Sequence, residues 1–240
     1  TLQGGSGHDL IIAGTGNNVL IGGLGDDTLV GGGSDDHYGG KGKDRYLVHF
    51  SDVRLFETGD DIDTINLQAA PTGITMNLSL QDGTAQTVFA GSTISLTGSF
   101  EIVQGSNFGD DLSTSTSNTT LDGGLGADKL KVLGGEGISL FGGEGADTLT
   151  VGGSSFNVTV FGGEGSDSLF VGGDTLTGAV ASSVTLFGGE GADTLGVGNN
   201  VTNVTVFGGE GNDSLFVGAG GSGGTVANSI TVFGGEGADT

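Results

Sequence analysis

The 240-residue chain has 54 glycines, one proline and no cysteine, and its 29 acidic against six basic residues leave a net charge of −23. That balance excludes nucleic-acid binding, where Lys and Arg must neutralise phosphates, and it opposes docking on anionic lipid. Lack of cysteine excludes a disulfide framework or a thiolate metal site, and no apolar run reaches membrane-spanning length. Glycine-rich acidic chains are often linkers, but a linker does not hold Leu, Val and Phe in strict phase with paired glycines.

From Gly4 the chain reads GGSGHDLII, AGTGNNVLI, GGLGDDTLV, GGGSDDHY and GGKGKDRYL, in nearly unbroken nine-residue phase to Leu47. Two such segments make one rung of a stacked array. Loops opening at Gly4, Gly22 and Gly39 are expected on one side and those at Ala13 and Gly31 on the other. Ile11, Leu20, Leu29, Tyr38 and Tyr46 are then expected to point inward. Asp9, Asp27, Asp36 and Asp44 are the recurring carboxylates; Asn18 replaces one, and Ser34 replaces a turn glycine.

Between Val48 and Asp122 the nine-residue phase is lost. Apolar alternation predicts strands over 63–67, 74–80 and 94–102. GSNFGDDL, from Gly105, reads as a degenerate half-turn that keeps Asp110 and Leu112. The expected organisation is a first array over 1–47, an intervening β segment over 48–122 and a second array over 123–240. Either the middle segment continues the solenoid or it forms a separate small β domain.

The second array opens with GGLGADKLKVL at Gly123. Phe141, Phe161, Phe187, Phe207 and Phe233 then head copies spaced 20, 26, 20 and 26 residues apart, so the duplicated unit is 46 residues. A period of that length signals a solenoid, in which each rung buries its apolar face against its neighbours. One half of each rung carries a Gly-rich loop and a Leu-x-Val strand (Leu130/Val132, Leu149/Val151, Leu169/Val171, Leu195/Val197, Leu215/Val217). The other half returns through Val-Thr-Val-Phe or a close relative, with the aliphatics expected inward, Thr outward and Phe at the corner. The longer rungs place their extra residues in 174–183 and 219–229.

Most of these loops fit GGxGxDxUx, where U is a large apolar residue, and the pattern resembles the RTX (repeats-in-toxin) calcium-binding family. The resemblance implies an all-β parallel β-roll, a β-solenoid built on stacked calcium-binding glycine-rich turns. Several Ca²⁺ ions would each be enclosed by backbone oxygens at motif positions 1 to 4 and by the Asp of two stacked loops. Paired glycines free the backbone to aim its carbonyls at one point, and a hard cation wants six to eight oxygens, more than one loop offers. One site would join Gly142, Glu144 (backbone) and Asp147 to Gly163, Gly165 and Asp167. The same carry-over gives Gly123, Leu125, Asp128, Gly188, Glu190, Asp193, Gly209, Gly211, Asp213, Gly234, Glu236 and Asp239, together with Asp9, Asp27, Asp36, Asp44 and Asp110. Calcium is expected in two columns in the first array and in one in the second. The run from Arg45 to Leu67 resembles the segment that follows RTX repeats, with one residue more between Asp52 and Glu57 than the family pattern; neither is carried over as a ligand.

What the resemblance implies for function is a secreted or cell-surface bacterial protein that folds when it meets extracellular calcium after type I secretion. The reading favoured is a structural repeat region of a surface layer, matrix or adhesin, which self-associates or meets other surface subunits, with Phe170 and Phe216 as lateral contacts. The alternative is the secretion and folding module of an enzyme or toxin whose catalytic domain lies elsewhere; a weaker one is ice binding through Thr159, Thr185, Thr205 and Thr231. No HExxH or P-loop occurs, and GGSGG from Gly220 matches a serine-hydrolase elbow by letters only, so no catalysis is expected from these residues. Thr1 to Gln3 and Ala238 to Thr240 each fall inside a motif, which leads us to expect more repeats, or another subunit, at both ends.

Overall fold

Alternating apolar residues between glycine turns give strands and nothing else. The computed structural model describes residues 1–49, 52–89, 91–172, 180–218 and 228–240, and among them there is no helix, hence none long and apolar enough to cross a membrane. The longer rungs' insertions, and with them GGSGG, lie largely outside the described residues. The chain divides into two compact units, 1–107 and 108–240.

The first unit contains β1 (Leu2–Ser6), β2 (Leu10–Ile12), β3 (Val19–Leu24), β4 (Thr28–Gly31), β5 (Asp36–Lys41), β6 (Arg45–Val48), β7 (Val53–Phe56), β8 (Thr64–Asn66), β9 (Thr75–Asn77), β10 (Asp82–Phe89), β11 (Ser92–Thr97) and β12 (Ile102–Gln104). Odd and even strands separate into two parallel stacks, β1-β3-β5-β7-β11 and β2-β4-β6-β8-β12, as a chain does when it turns after every half-rung. Of the strands expected in the middle of the chain, 63–67 is present as β8 and 74–80 in part as β9, whereas 94–102 is not one strand: β11 ends at Thr97 and β12 begins at Ile102. One departure from parallel pairing is the hairpin of β10 on β11, which adds an antiparallel strand to the first stack.

Two inward columns fill this unit. Ile11, Leu29, Tyr46, Ile65 and Val103 are in register in one stack; Leu20, His37, Leu55 and Leu96 are in register in the other. All are buried. Tyr38, expected inward, instead faces out and stacks on Phe56 with ring centroids 4.5 Å apart, and His37 takes the core position beside Leu20. The cause is length: the segment from Gly31 has eight residues before the next glycine pair, and the missing one falls before Asp35. Strand faces alternate with period two, so one lost residue turns the neighbouring side chain inward.

The second unit contains β13 (Asp111–Thr114), β14 (Thr120–Leu125), β15 (Lys129–Val132), β16 (Gly135–Glu136), β17 (Ser139–Glu144), β18 (Thr148–Val151), β19 (Ser155–Glu164), β20 (Ser168–Val171), β21 (Ala181–Glu190), β22 (Thr194–Val197), β23 (Val201–Glu210), β24 (Ser214–Val217) and β25 (Asn228–Glu236). Motif strands stack as β13-β15-β18-β20-β22-β24 and return strands as β14-β17-β19-β21-β23-β25, all parallel. Leu130, Leu149, Leu169, Leu195 and Leu215 stand in register, as do Val132, Val151, Val171, Val197 and Val217. Opposite them Leu140, Val160, Leu186 and Val206 are buried, each such side chain contributing about 1.5–3 kcal/mol. The Phe column is not at a corner. Each return strand runs through its Phe to the Glu of the following loop, so the ring faces outward in mid-strand, two residues after the outward Thr. The bend lies earlier, where Asn157, Ser183, Asn203 and Ser229 all have φ between 53° and 59°.

Candidate metal centre

Each motif loop needs backbone conformations that L side chains rarely adopt. In the loop from Gly142, Gly143 and Gly145 have φ of 109° and 145°, and a Cβ on either would strike the carbonyl of the rung below. Freed in this way, the loops stack tightly enough for their aspartates to bond through the stack. The N–H of Asp110 donates to Oδ1 of Asp128 (2.7 Å), that of Asp128 to Asp147 (2.8 Å), that of Asp147 to Asp167 (2.8 Å) and that of Asp167 to Asp193 (2.8 Å). The series continues from Asp193 to Asp213 (2.9 Å) and from Asp213 to Asp239 (3.1 Å).

This ladder occupies one oxygen of each carboxylate. The other, Oδ2 of Asp128, Asp147, Asp167, Asp193 and Asp213, is buried without a hydrogen-bond partner. It points at the first glycine of its own loop: a methyl on Gly142 would overlap both Asp147 Oδ2 and the Gly162 carbonyl, and Gly123, Gly162, Gly188 and Gly208 repeat the arrangement. Every rung thus holds a small cradle lined by a buried carboxylate oxygen and a carbonyl from the next rung. Burial raises the Asp128 carboxyl to about 7 and Asp193 to about 6, and it raises Asp147 and Asp167 in the same direction, against the lowering effect of the N–H each accepts. Buried oxygens that are unpartnered, all hard and mutually repelling suit a divalent cation such as Ca²⁺.

The stack brings Gly142, Glu144 and Asp147 against the rung of Gly163, Gly165 and Asp167 in unbroken register, and Leu125 lies over Glu144. The Gly162 carbonyl, absent from the sequence-derived set, is the one facing Asp147 Oδ2. The carbonyls of Glu144, Glu190 and Glu236 accept N–H bonds from Gly126, Gly165 and Gly211, which leaves each a second lone pair. Their carboxylates are exposed. Gly188, Gly209, Gly211 and Gly234 take the same places in their rungs.

In the first unit Asp9 N–H donates to Asp27, Asp27 to Asp44 and Asp44 to Asp63, each at 2.7–2.8 Å. Oδ2 of all four is buried and unpartnered. Asp63 was not in the sequence-derived set because it lies beyond the last regular nonapeptide. The signal was present all the same: Asp9-Leu10-Ile11, Asp27-Thr28-Leu29 and Asp44-Arg45-Tyr46 share a D-x-U triplet with Asp63-Thr64-Ile65. Glu101-Ile102-Val103 extends it with glutamate, and Glu101 Oε2 accepts the Asp63 N–H at 2.9 Å.

Asp44, Glu57 and Asp63 form a denser group. One oxygen of each lies within 4.8 Å of the others, and all three residues are buried. Tyr46 Oη donates to Glu57 Oε2 at 2.6 Å, while Oε1 accepts the N–H of Thr58 and of Gly59. A methyl on Gly39 would overlap Asp44 Oδ2 and Tyr46 Oη, with Glu57 Oε2 beside them, so here a carboxylate stands where other rungs offer a carbonyl. Burial, with the Glu57 charge adding to it, pushes Asp44 up to about 7 and Asp63 to about 8. Glu57 therefore joins the ligand candidates. Asp52 does not: it is exposed, lies outside that group, and its Oδ1 accepts from the Thr93 N–H and hydroxyl.

The opposite edge of this unit departs from the expected second column. Asp36 sits in β5 and pairs with Arg54 through two bonds of 2.6 and 2.7 Å. The motif position belongs to Asp35, whose Oδ1 accepts the Asn18 N–H at 2.6 Å, by the same one-residue shortening that turned His37 inward. His37 then fills the cradle at Gly31, with both ring nitrogens buried and unpartnered.

The family model described as RTX calcium-binding nonapeptide repeat (4 copies) matches residues 3–38, 133–155, 141–175, 181–200 and 202–222, together half of the chain. No curated protein matches it.

Proposed function

Since the chain belongs to the RTX calcium-binding nonapeptide repeat family, we propose that it is a structural repeat region of a secreted bacterial protein displayed at the cell surface, in a surface layer, matrix or adhesin, where calcium drives it to fold and its rungs assemble laterally. RTX nonapeptide repeats bind calcium, and the repeat is a structural module with no catalytic role of its own. Asp9, Asp27, Asp44 and Asp63 in the first unit, and Asp128 through Asp239 in the second, would hold the ions with the carbonyls of the facing glycines. When bound, the cation supplies positive charge to a column of carboxylates one rung apart. Without it, each buried Oδ2 faces like charge.

The observation that supports this reading most directly is the aspartate ladder of each unit, Asp9 to Asp63 and Asp110 to Asp239, which in the second unit repeats one cradle from Asp128 to Asp213. Far-ultraviolet circular dichroism during calcium titration tests it. At about pH 8, where those carboxyls are least protonated, strand signal should rise cooperatively with calcium and vanish on chelation; a signal there indifferent to the chelator sinks the reading. For extracellular modules the working range is about 10⁻⁴ to 10⁻³ M. Lateral assembly is tested separately, by sedimentation of the calcium-loaded chain at rising concentration.

A further inference from the structure

The return face of the second unit carries an aromatic ladder. Phe141, Phe161, Phe187, Phe207 and Phe233 stack in sequence with ring centroids 4.9 Å apart and planes within 5–7° of parallel. Beside them runs a second outward column, Ser139, Thr159, Thr185, Thr205 and Thr231, and on the other flank an outward glycine column, Gly143, Gly163, Gly189, Gly209 and Gly235. No charged side chain occurs in β17, β19, β21, β23 or β25 before the glutamate that ends each strand. In a chain of net charge −23 that is a conspicuous gap. Among the described residues no element packs on this face, and the end rings Phe141 and Phe233 are 39% and 50% exposed.

We propose that two copies of the chain associate through this face, ladder against ladder. Three observations favour a second copy over another partner. A row with one ring per rung meets a surface of the same period without mismatch along its length, and another copy of this array has that period. Two chains this acidic repel each other over most of their surfaces, but not where both are uncharged. Five rungs at about 4.8 Å, each with outward positions spanning about 20 Å, give a plane of about 500 Å² per copy, so a pair buries about 1,000 Å², the lower end for a specific interface.

The other uncharged aromatic pair is less suited. Phe170 and Phe216 are 38% and 48% exposed, but they lean from either side onto Gly196, which separates them in register, so that column is not a continuous ladder. The proposal rests on the lateral-assembly reading above and specifies its surface.

Sedimentation velocity in saturating calcium, with circular dichroism confirming the strand content of each variant, decides between the two faces. Wild type should associate reversibly. Thr185→Glu with Thr205→Glu leaves the ladder intact but sets like charges across the proposed contact, and should weaken association by about tenfold or more. Phe170→Ser with Phe216→Ser should leave it within about twofold. If the glutamate variant associates as wild type does, the ladder face is not the contact, although lateral assembly stands. If the wild type stays monomeric at every concentration, both readings fail.

Discussion

At the scale of single residues, the two oxygens of each motif aspartate do different work. Oδ1 of Asp167 accepts the Asp147 N–H and so serves the stacking of rungs, while Oδ2 faces the cradle. Asp167→Asn, with its carbonyl oxygen toward the Asp147 N–H, keeps the first and puts an NH2 group, which cannot bind a cation, in place of the second. We expect the folded roll to persist at high calcium with one fewer high-affinity ion by isothermal titration, and the folding midpoint to move up about tenfold in calcium. An unchanged stoichiometry and midpoint would remove Asp167 from the ligands. Asp44, Glu57 and Asp63 bring three carboxylates together where other rungs bring fewer, and charge count is one of the properties that tune calcium affinity.

At the scale of an element, β5 shows what one missing residue does to a strand. The shortened loop places Asp35 rather than Asp36 at the motif position and sends His37 into a column otherwise made of Leu20, Leu55 and Leu96. Burial lowers the imidazole to about 4 against the pull of Asp35 and Asp36, so the ring is neutral at pH 7. Its cost is that of two polar nitrogens without partners. His37→Leu restores the column, and chemical denaturation of the calcium-loaded protein should show a gain of about 1–3 kcal/mol. A loss would mean that the nitrogens have a partner in solution.

For the molecule as a whole, the calcium-free fold is one that protons favour. Asp44 and Asp128 are raised to about 7, Asp63 to about 8 and Asp193 to about 6, whereas in the unfolded chain each returns to about 3.9. Between about pH 4 and pH 8 the folded form thus holds more protons than the unfolded form, so its stability falls as pH rises. The net charge of −23 acts in the same direction. Thermal melts in chelator should show Tm dropping from pH 5 to pH 8, and saturating calcium should abolish the drop because the ion displaces the protons. A chelated Tm that climbs over that window would contradict the assignment of buried, proton-binding carboxylates.

The repeat phase by itself determined the parallel rungs, the inward Leu and Val columns and the aspartates of the regular loops, because a local pattern copied at fixed spacing specifies its own neighbours. The register of Leu149 on Leu169 and of Asp147 on Asp167 follows from the spelling of the copies alone. Where the copies are imperfect, only the tertiary structure decided. Asp63 enters the column by stacking under Asp44, and Glu57 by folding back toward Tyr46; neither is fixed by its distance along the chain. The Phe rings became a ladder rather than corner residues because the strand bends at the left-handed Asn157, Ser183, Asn203 and Ser229, a backbone state that Asn and Ser permit but do not announce.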